Sequence, residues 1–287
     1  MKRLLSLAIT AALMMSFAGC GGSGETAAPS ASGNDTQTQT EQGGENAETA
    51  ELPDLSGQKW VIGLDDEFPP MGFRDENNEI VGFDIDLAKA AAEKLGCEVE
   101  FQPIDWDTKE LELESGNIDF IWNGLTMTDE RVEAMEFTKP YLKNKQIIIV
   151  KNDSEINAKE DLAGKNIGVQ AGSSALDAVE GDEINAQLGS VSTYDTNILA
   201  FTDLDVARVD AVVADEIVAR YYLANNENDF RVVENGDFGD EVYGVAAKKG
   251  NTELVGNLQA ALDAMSEDGT AADISVKWFG EDIYEHN

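Results

Sequence analysis

The feature that most constrains the fold is the alternation of strand-like and helix-like patterns over the last 231 residues, 57–287. Trp60 to Leu64 has the apolar character of a buried strand, and Glu98 to Gln102 is typical of another. Between them, Asp84 to Leu95 has the apolar spacing of an amphipathic helix that a glycine ends. Strands that alternate with helices in this way predict parallel α/β units.

Two pairs of strand-like segments repeat one another weakly. Residues 61–64 (VIGL) are matched by 166–169 (NIGV), and residues 118–121 (IDFI) by 209–212 (VDAV). The repeat predicts two lobes of similar construction. In open α/β sheets the ligand-binding loops lie at the carboxyl ends of the strands. A cleft is therefore predicted to be lined by the segments that follow Leu64, Trp122, Val169 and Val213.

The run IDFIWNGLTMTDER at residues 118–131 places a strand, a polar turn and a helix start in succession. Asn123 and Gly124 end the apolar run with turn chemistry, and the threonines that follow can cap a helix. Arg131 lies about one turn into that helix, where its planar guanidinium could hold a carboxylate through two parallel hydrogen bonds. The alternative is an ordinary strand-to-helix turn in which Arg131 pairs with a surface acid.

The N-terminus has the features of a secretory signal. Lys2 and Arg3 precede the apolar stretch 4–17, which is too short to span a membrane, so we expect a signal peptide over residues 1–19. Cys20 directly follows small residues, which resembles the bacterial lipoprotein signal, in which this thiol is lipidated. The chain is then expected to attach to the membrane through an N-terminal lipid. The alternative is a plain secreted protein with a chance cysteine.

Residues 20–56 are expected to form a disordered, lipid-anchored tether. They contain no large hydrophobic residue before Leu52 and no basic residue, and they are rich in Gly, Ser, Thr, Gln, Ala and acids. With Cys20 lipidated, Cys97 has no partner in the chain, so a disulfide framework is excluded. A lone cysteine in an apolar segment is usually part of a core.

The charge balance and the residue types exclude several functions. Removal of Lys2 and Arg3 with the leader leaves 18 basic and 56 acidic residues, a net charge of −38, so nucleic acid is a poor partner. The one histidine, His286, makes a Ser-His or Cys-His dyad improbable and excludes a histidine metal site. No phosphate-cradling glycine loop occurs. We therefore expect no catalytic residues, no metal and no cofactor, since carboxylate pairs such as Asp65 and Asp66 arise by chance among so many acids.

Five motifs occur in order along the chain: GLDDEFPPMGF at 63–73, VGFDIDLAKAAAEKLG at 81–96, GLTMTDER at 124–131, IGVQAGSSA at 167–175 and VDAVVADEIVA at 209–219. Together they resemble the polar amino-acid-binding proteins of ABC importers, which are family 3 extracellular solute-binding lipoproteins. The resemblance extends from about Lys59 to Phe279.

The resemblance implies a periplasmic-binding-protein-like α/β fold of two Rossmann-like lobes joined by two hinge strands. The first lobe would comprise residues 57–144 and 243–287, and the second residues 145–242. The hinge strands would lie near Leu142 to Ile147 and near Gly239 to Gly244.

The same resemblance implies a site for the backbone groups of an amino acid. Arg131 would bind the α-carboxylate, assisted by Thr126 and by Ser174 in the second lobe. Asp215 would bind the α-ammonium together with the carbonyl of Gly124.

A second group of residues resembles the family's contacts to the ligand side chain. Phe68 and Trp106 resemble aromatic walls, although Trp106 is equally consistent with a core aromatic. Asp65 matches a position that meets a polar or cationic side-chain tip, and Gln170 could contribute nearby. Asn123 and Gln170 vary widely in the family, so they inform selectivity without deciding it.

The function implied is capture of an amino acid by hinge closure and delivery to an ABC permease in the membrane. The protein would act outside the cytoplasm as a lipid-anchored monomer. Two alternatives remain open from the sequence. One is an enzyme on the same fold, a dehydratase of cyclic carboxylic acids, and the other is a surface adhesin or sensor lipoprotein.

The acids near the first strand predict a polar or cationic L-amino acid as the ligand. Asp65 should face the cleft, and Asp66 and Glu67 would strengthen a negative potential at its mouth, with no basic residue between Lys59 and Arg74. Arginine, lysine and histidine are then expected ahead of glutamine and cystine, and glutamate and aspartate should be rejected. In the rival interpretation, Asp65 accepts hydrogen bonds from a neutral amide or turns away.

Overall fold

The computed structural model describes residues 51–225 and 230–287. The predicted signal peptide, Cys20 and the tether up to residue 50 lie outside the described residues. Within the described part of the chain, no helix is long and apolar enough to cross a membrane. Leu55 is buried, and its N–H donates to the carbonyl of Leu95 at 2.8 Å. The packed chain therefore begins a few residues before residue 57, its predicted start.

Thirteen strands form among the described residues. They are β1 Lys59–Leu64, β2 Glu67–Phe68, β3 Gly72–Arg74, β4 Ile80–Val81, β5 Glu98–Pro103, β6 Phe120–Ile121, β7 Met135–Phe137, β8 Leu142–Lys151, β9 Asn166–Gln170, β10 Ser190–Tyr194, β11 Ala211–Asp215, β12 Phe230–Tyr243 and β13 Ala246–Lys248.

Eight α-helices alternate with these strands. They are α1 Phe83–Leu95, α2 Lys109–Ser115, α3 Asp129–Ala134, α4 Ser174–Gly181, α5 Asn197–Asp205, α6 Glu216–Asn225, α7 Thr252–Glu267 and α8 Thr270–Phe279. Short 3-10 segments lie at Trp106–Thr108, Lys159–Leu162 and Glu183–Gln187. The predicted end of α1 is correct, because Gly96 adopts the left-handed conformation (φ 71°) that closes a helix.

Two five-stranded sheets with the same pattern of parallel and antiparallel pairing form the centres of two lobes. The first has the order β5-β1-β6-β13-β7, with β5, β1 and β6 parallel and β13 antiparallel to its neighbours. The second has the order β10-β9-β11-β8-β12, with β10, β9 and β11 parallel and β8 antiparallel to its neighbours. The short strands β2, β3 and β4 form a separate small sheet. This is the α/β architecture of two similar lobes that the sequence predicted.

The apolar runs of the second lobe are explained by burial on both faces of its sheet. Ile147 and Ile149 belong to one hydrophobic cluster, whereas Ile148 and Val150 belong to another. Successive side chains of a strand point to opposite faces, so a strand that is covered on both sides needs apolar residues at every position.

Both hinge strands pass from one lobe to the other. β8 and β12 pair antiparallel along their length, from Leu142 opposite Tyr243 to Lys151 opposite Phe230. Leu142 and Tyr243 pack in the core of the first lobe, whereas Ile148 lies in a core cluster of the second. The predicted boundaries at 144/145 and 242/243 fall inside these strands and stay a prediction.

Candidate functional site

The carboxyl ends of the parallel strands from both lobes meet in one cleft. Asp65 follows β1, Asn123 and Gly124 follow β6, Gln170 ends β9, and Asp215 ends β11. This arrangement follows from parallel pairing, because it places equivalent ends of the strands at one edge of each sheet. The other predicted site residues, which are likewise buried, are Phe68, Trp106, Thr126, Arg131 and Ser174.

Asp65 contacts the opposite lobe through Gln170. The Gln170 Nε2 donates to Asp65 Oδ2 at 2.6 Å, and the Glu67 N–H donates to Asp65 Oδ1 at 2.9 Å. Asn197 Nδ2 donates to Gln170 Oε1 at 3.1 Å, which orients the Gln170 amide with its donor toward Asp65. Burial raises the pKa of Asp65 to about 6, although these hydrogen bonds lower it.

Phe68 and Trp106 face one another as nearly parallel rings. Their centroids are 6.5 Å apart and their planes are inclined by 13°. A planar group between two ring faces needs roughly 7 Å, at about 3.5 Å per contact, so a small outward movement of one ring would admit it. Trp106 also packs in the first lobe's core cluster, and the two interpretations of this residue are therefore compatible.

Asp84 fixes the turn that carries Gly124. Asp84 is fully buried, and its Oδ2 accepts from the Gly124 N–H at 2.7 Å and from the Tyr141 hydroxyl at 2.9 Å. Burial raises the pKa of Asp84 to about 7. Gly124 has φ 59°, and a Cβ there would approach Phe68 to 2.9 Å, so a glycine is required beside the aromatic pair.

Arg131 lies near the start of α3, as predicted, and its guanidinium reaches the second lobe. Thr128 caps the helix by accepting from the Arg131 N–H at 3.2 Å, whereas Thr126 does not cap it. Arg131 Nη1 donates to the carbonyl of Thr126 at 3.2 Å, and Nη2 donates to the carbonyl of Gly172 at 3.0 Å. Arg131 also forms long ion pairs, at 3.8 Å, with the exposed acids Glu110 and Asp177, which is the pairing that the alternative interpretation predicted. Only one N–H of each terminal nitrogen is used in the hydrogen bonds, which leaves donors on the guanidinium for a closer acceptor.

Thr126 and Ser174 join the lobes through their hydroxyl groups. Their Oγ atoms are 3.0 Å apart, and Thr126 Oγ1 also donates to Glu241 Oε1 at 2.9 Å. Asp215 Oδ1 accepts from Tyr243 Oη at 2.6 Å. Burial, followed by the neighbouring Glu241, raises the pKa of Asp215 well above its usual range.

One expectation about the acids near β1 was wrong. The sequence predicted that nothing local would neutralise them, but Arg74 forms an ion pair with Asp66. β2 and β3 are antiparallel neighbours, which brings Arg74 back beside Asp66. Asp65 and Glu67 are the acids of this group that form no ion pair among the described residues.

Residues 60–281 match the model of the bacterial extracellular solute-binding proteins, family 3. This match covers more than half of the chain. The chain belongs to that family.

Individual relatives of this family 3 solute-binding protein are themselves binding proteins. The L-cystine-binding protein TcyJ of Escherichia coli is 33% identical over 225 residues, which cover 78% of this chain and 83% of TcyJ. A substrate-binding protein of an ABC uptake transporter from Streptococcus pneumoniae, with bound histidine, has a TM-score of 0.73 at 40% identity and covers 79% of this chain and 94% of its own. An ancestral arginine-binding protein bound to arginine has a TM-score of 0.73 at 43% identity, and the match covers 77% of this chain and 98% of the ancestral protein. The predicted family and fold are thereby confirmed.

Several residues of the cleft in this solute-binding protein were not predicted. Asn144, Gln146 and Glu241 lie on the hinge strands. The signal that could have found the first two is that amides alternate with lysines before the apolar part of β8. Lys109 was also missed. Its Nζ donates to the carbonyl of Gly172 in the second lobe at 2.7 Å, beside the donor from Arg131.

Lys109 provides a first testable prediction. It is 1% exposed, and burial, followed by the nearby Arg131 charge, lowers the pKa of Lys109 from 10.5 to about 8. Between pH 8 and pH 10.5, Lys109 is protonated in the unfolded chain but largely neutral in the folded protein. The free energy of unfolding therefore rises with pH over this interval. Lys109→Met should remove roughly 2 kcal/mol of this rise. Urea unfolding at pH 7.5 and pH 10 measures it.

The matched control for this prediction is Lys139→Met, at an exposed lysine that pairs with Asp263. It should leave the rise unchanged. An equal rise in the wild type and in Lys109→Met would show that the Lys109 pKa is not lowered in the folded protein.

Proposed function

We propose that the protein captures a polar or cationic L-amino acid between its lobes and delivers it to the permease of an ABC importer. The observation that carries this proposal is the pair of buried, oppositely charged anchors, Arg131 from the first lobe and Asp215 from the second. An α-carboxylate and an α-ammonium need such partners, because a buried charge without a counter-charge is costly. Thr126, Ser174 and Gly124 would complete the contacts to these groups.

The side-chain end of the proposed ligand would lie toward Asp65, between Phe68 and Trp106. The parallel rings suit a guanidinium, an imidazole or an amide, and a cation gains further from the ring faces. Asn123 and Gln170 flank Asp65. The Asp65 N–H donates to Asn123 Oδ1 at 3.1 Å. Relatives that bind arginine and histidine support a cationic ligand. The cystine-binding relative supports a polar one.

Hinge closure would bring the two halves of the site together. Gln170, Ser174 and Gly172 of the second lobe already contact Asp65, Thr126 and Arg131 of the first. These contacts are few and polar, so they can separate and re-form as the hinge strands bend. The ligand would replace water in the open cleft and stabilise the closed arrangement.

The enzymatic alternative is less well supported. The family and the reported relatives are described as solute-binding or amino-acid-binding proteins. A pair of anchors for α-amino and α-carboxyl groups also does not suit a cyclic acid that lacks the amine.

The experiment that tests the proposed function is calorimetric titration with L-arginine, L-histidine and L-cystine, together with one analogue of arginine. Agmatine, which is arginine without its carboxylate, is the matched control. We expect an L-amino acid to bind and agmatine to bind at least tenfold more weakly, because it leaves Arg131 unused. Equal affinity for agmatine and L-arginine would contradict the proposal.

We also propose that Cys20 carries a lipid that holds the protein at the outer face of the membrane, where it acts as a monomer. Cys20 follows Ala18 and Gly19, and it lies outside the described residues. Cys20→Ser should release the protein into the medium or leave it unprocessed, because a thioether to the lipid cannot form. Detergent-phase partitioning measures this outcome. If the variant stays in the detergent phase as the wild type does, Cys20 is not the anchor.

A further inference from the structure

Glu241 and Asp215 form a carboxylate pair held by the same two amides. Asn144 Nδ2 donates to Asp215 Oδ1 at 2.7 Å and to Glu241 Oε1 at 2.6 Å. Gln146 Nε2 donates to the same two oxygens at 2.9 Å and 2.8 Å. The two acids come from different strands, β11 and β12, and both amides come from β8 between them. The fold therefore places two like charges side by side.

The pair has no cationic side chain as a partner. Within residues 51–225 and 230–287, no lysine or arginine forms an ion pair with either carboxylate. The ion pairs of the nearby cations are made elsewhere: Lys143 with Glu285, Lys145 with Asp237 and Asp240, and Arg131 with Glu110 and Asp177. The other polar groups that face the pair are the neutral hydroxyls of Thr126 and Tyr243. Asp215 is buried, and Glu241 beside it is half-buried. Two adjacent carboxylates without a counter-charge hold a proton between them, because both cannot ionise cheaply.

The cluster also contains a buried acceptor without a donor. Gln146 is 1% exposed, and its Oε1 has no hydrogen-bond partner among the described residues. The amide cannot turn over to satisfy this oxygen, because its NH2 group already faces two carboxylates and Ser174. The cluster is therefore short of donors as well as of positive charge. A primary ammonium supplies both, with three N–H donors and one charge.

The cluster is accessible from a cavity. A cavity of about 810 Å³ is lined by Thr126, Asn144, Ser174 and Glu241, among others. Glu241 can therefore be reached from this cavity, which shares Thr126 and Ser174 with the proposed ligand site.

We propose that Glu241 joins Asp215 as a second carboxylate for the ligand's α-ammonium, and that arrival of the ammonium expels the proton that the two acids share. This inference rests on the proposed function, and it adds to it a specificity-determining residue and a proton-coupled binding step. The ammonium keeps its own protons and donates to the two carboxylates and to Gln146 Oε1. The shared proton passes to the solvent, so binding releases up to one proton.

The pH dependence follows from this exchange. Below the raised pKa of Asp215 the proton competes with the ammonium, and above it the carboxylates are free to bind. Affinity for an L-amino acid therefore rises with pH and then levels off. In Glu241→Gln the second acid is permanently neutral, which mimics the protonated pair. We expect this variant to bind about tenfold more weakly than the wild type at pH 8, as for loss of one charged hydrogen bond, and about equally at pH 5.

The test is calorimetry with L-arginine, L-histidine and L-cystine at pH 6 in two buffers that differ in ionisation enthalpy. The buffer dependence of the heat reports the protons released. Wild type should release a substantial fraction of a proton, and Glu241→Gln little or none. The matched control is Glu234→Gln, the same substitution at an exposed position of the same strand, which should behave as the wild type. Binding of des-amino arginine (5-guanidinopentanoic acid), which lacks the ammonium, should release no proton from the wild type or from any variant.

A ligand-free measurement separates failure of this inference from failure of the proposed function. In the wild type, carbon NMR of the side-chain carboxyl groups should show Asp215 titrating well above the ordinary range of an aspartate, and in Glu241→Gln the Asp215 carboxyl should titrate at lower pH. If none of the amino acids binds but this titration is seen, the ligand class is wrong and the shared proton stands. If an amino acid binds without proton release, or if Glu241→Gln matches the wild type at every pH, the role of Glu241 is overturned.

Discussion

Replacement of Arg131 by alanine is expected to weaken the binding of an L-amino acid by about 2 to 5 kcal/mol, or about 30-fold to several thousand-fold. The loss is large because the ligand carboxylate would be buried without its cation. Arg131 also donates to the carbonyls of Thr126 and Gly172, so the variant loses contacts that join the lobes as well. Calorimetric titration with the best-binding amino acid measures the effect.

Arg131→Lys should also bind poorly, because a point charge cannot reproduce two parallel hydrogen bonds. Arg208→Ala is the matched control, since Arg208 is an exposed arginine of the second lobe that pairs with Asp203. Its affinity should equal that of the wild type. Either Arg131 variant within threefold of the wild type would remove Arg131 from the proposed site.

Replacement of Asp65 by asparagine is expected to abolish the discrimination between cationic and acidic ligands. In the wild type, glutamate and aspartate would meet a buried carboxylate at a cost of several kcal/mol, whereas arginine, lysine and histidine would be attracted. Asparagine keeps the shape and removes the charge. Titration of all twenty amino acids against both proteins decides the matter. If the ranking of cationic over neutral ligands is the same in both, Asp65 does not select the ligand.

The pH dependence of this selectivity has a definite sign. Because the pKa of Asp65 is raised to about 6, its charge is lost as the pH falls through that value. The preference for L-arginine over L-glutamine should therefore be larger at pH 8 than at pH 5. Asp66→Asn, which removes an acid already paired with Arg74, is the control and should keep this pH dependence.

The elements of the fold could be predicted because their signals are local. The strands β1 and β5, and the helix α1 with Gly96 after it, appear in the structure within one residue of their predicted ends. The segments that line the cleft could also be predicted, since the direction of parallel strands places their carboxyl ends together. Asp65, Gln170 and Asp215 lie at such ends.

The hinge residues of the cleft could not be predicted, because their roles depend on contacts between distant parts of the chain. Glu241 meets Asn144 and Asp215 only when β12 pairs with β8 and β8 with β11. In a sequence with 56 acidic residues, one more glutamate carries no signal of its own. Lys109 is similar, since its acceptor Gly172 lies in the other lobe. The ion pair of Arg74 with Asp66 depends on the antiparallel pairing of β2 with β3, which the sequence did not predict.

The most direct test of the central claim is the thermal stability of the purified protein with each L-amino acid and with cystine. A ligand present at 100 times its dissociation constant adds about 2.7 kcal/mol to stability, which raises the melting temperature clearly. We expect a polar or cationic amino acid to give the largest rise and glutamate and aspartate to give none. No rise with any amino acid, or the largest rise with an acidic one, would contradict the proposal that Arg131, Asp215 and Asp65 form a site for this ligand class.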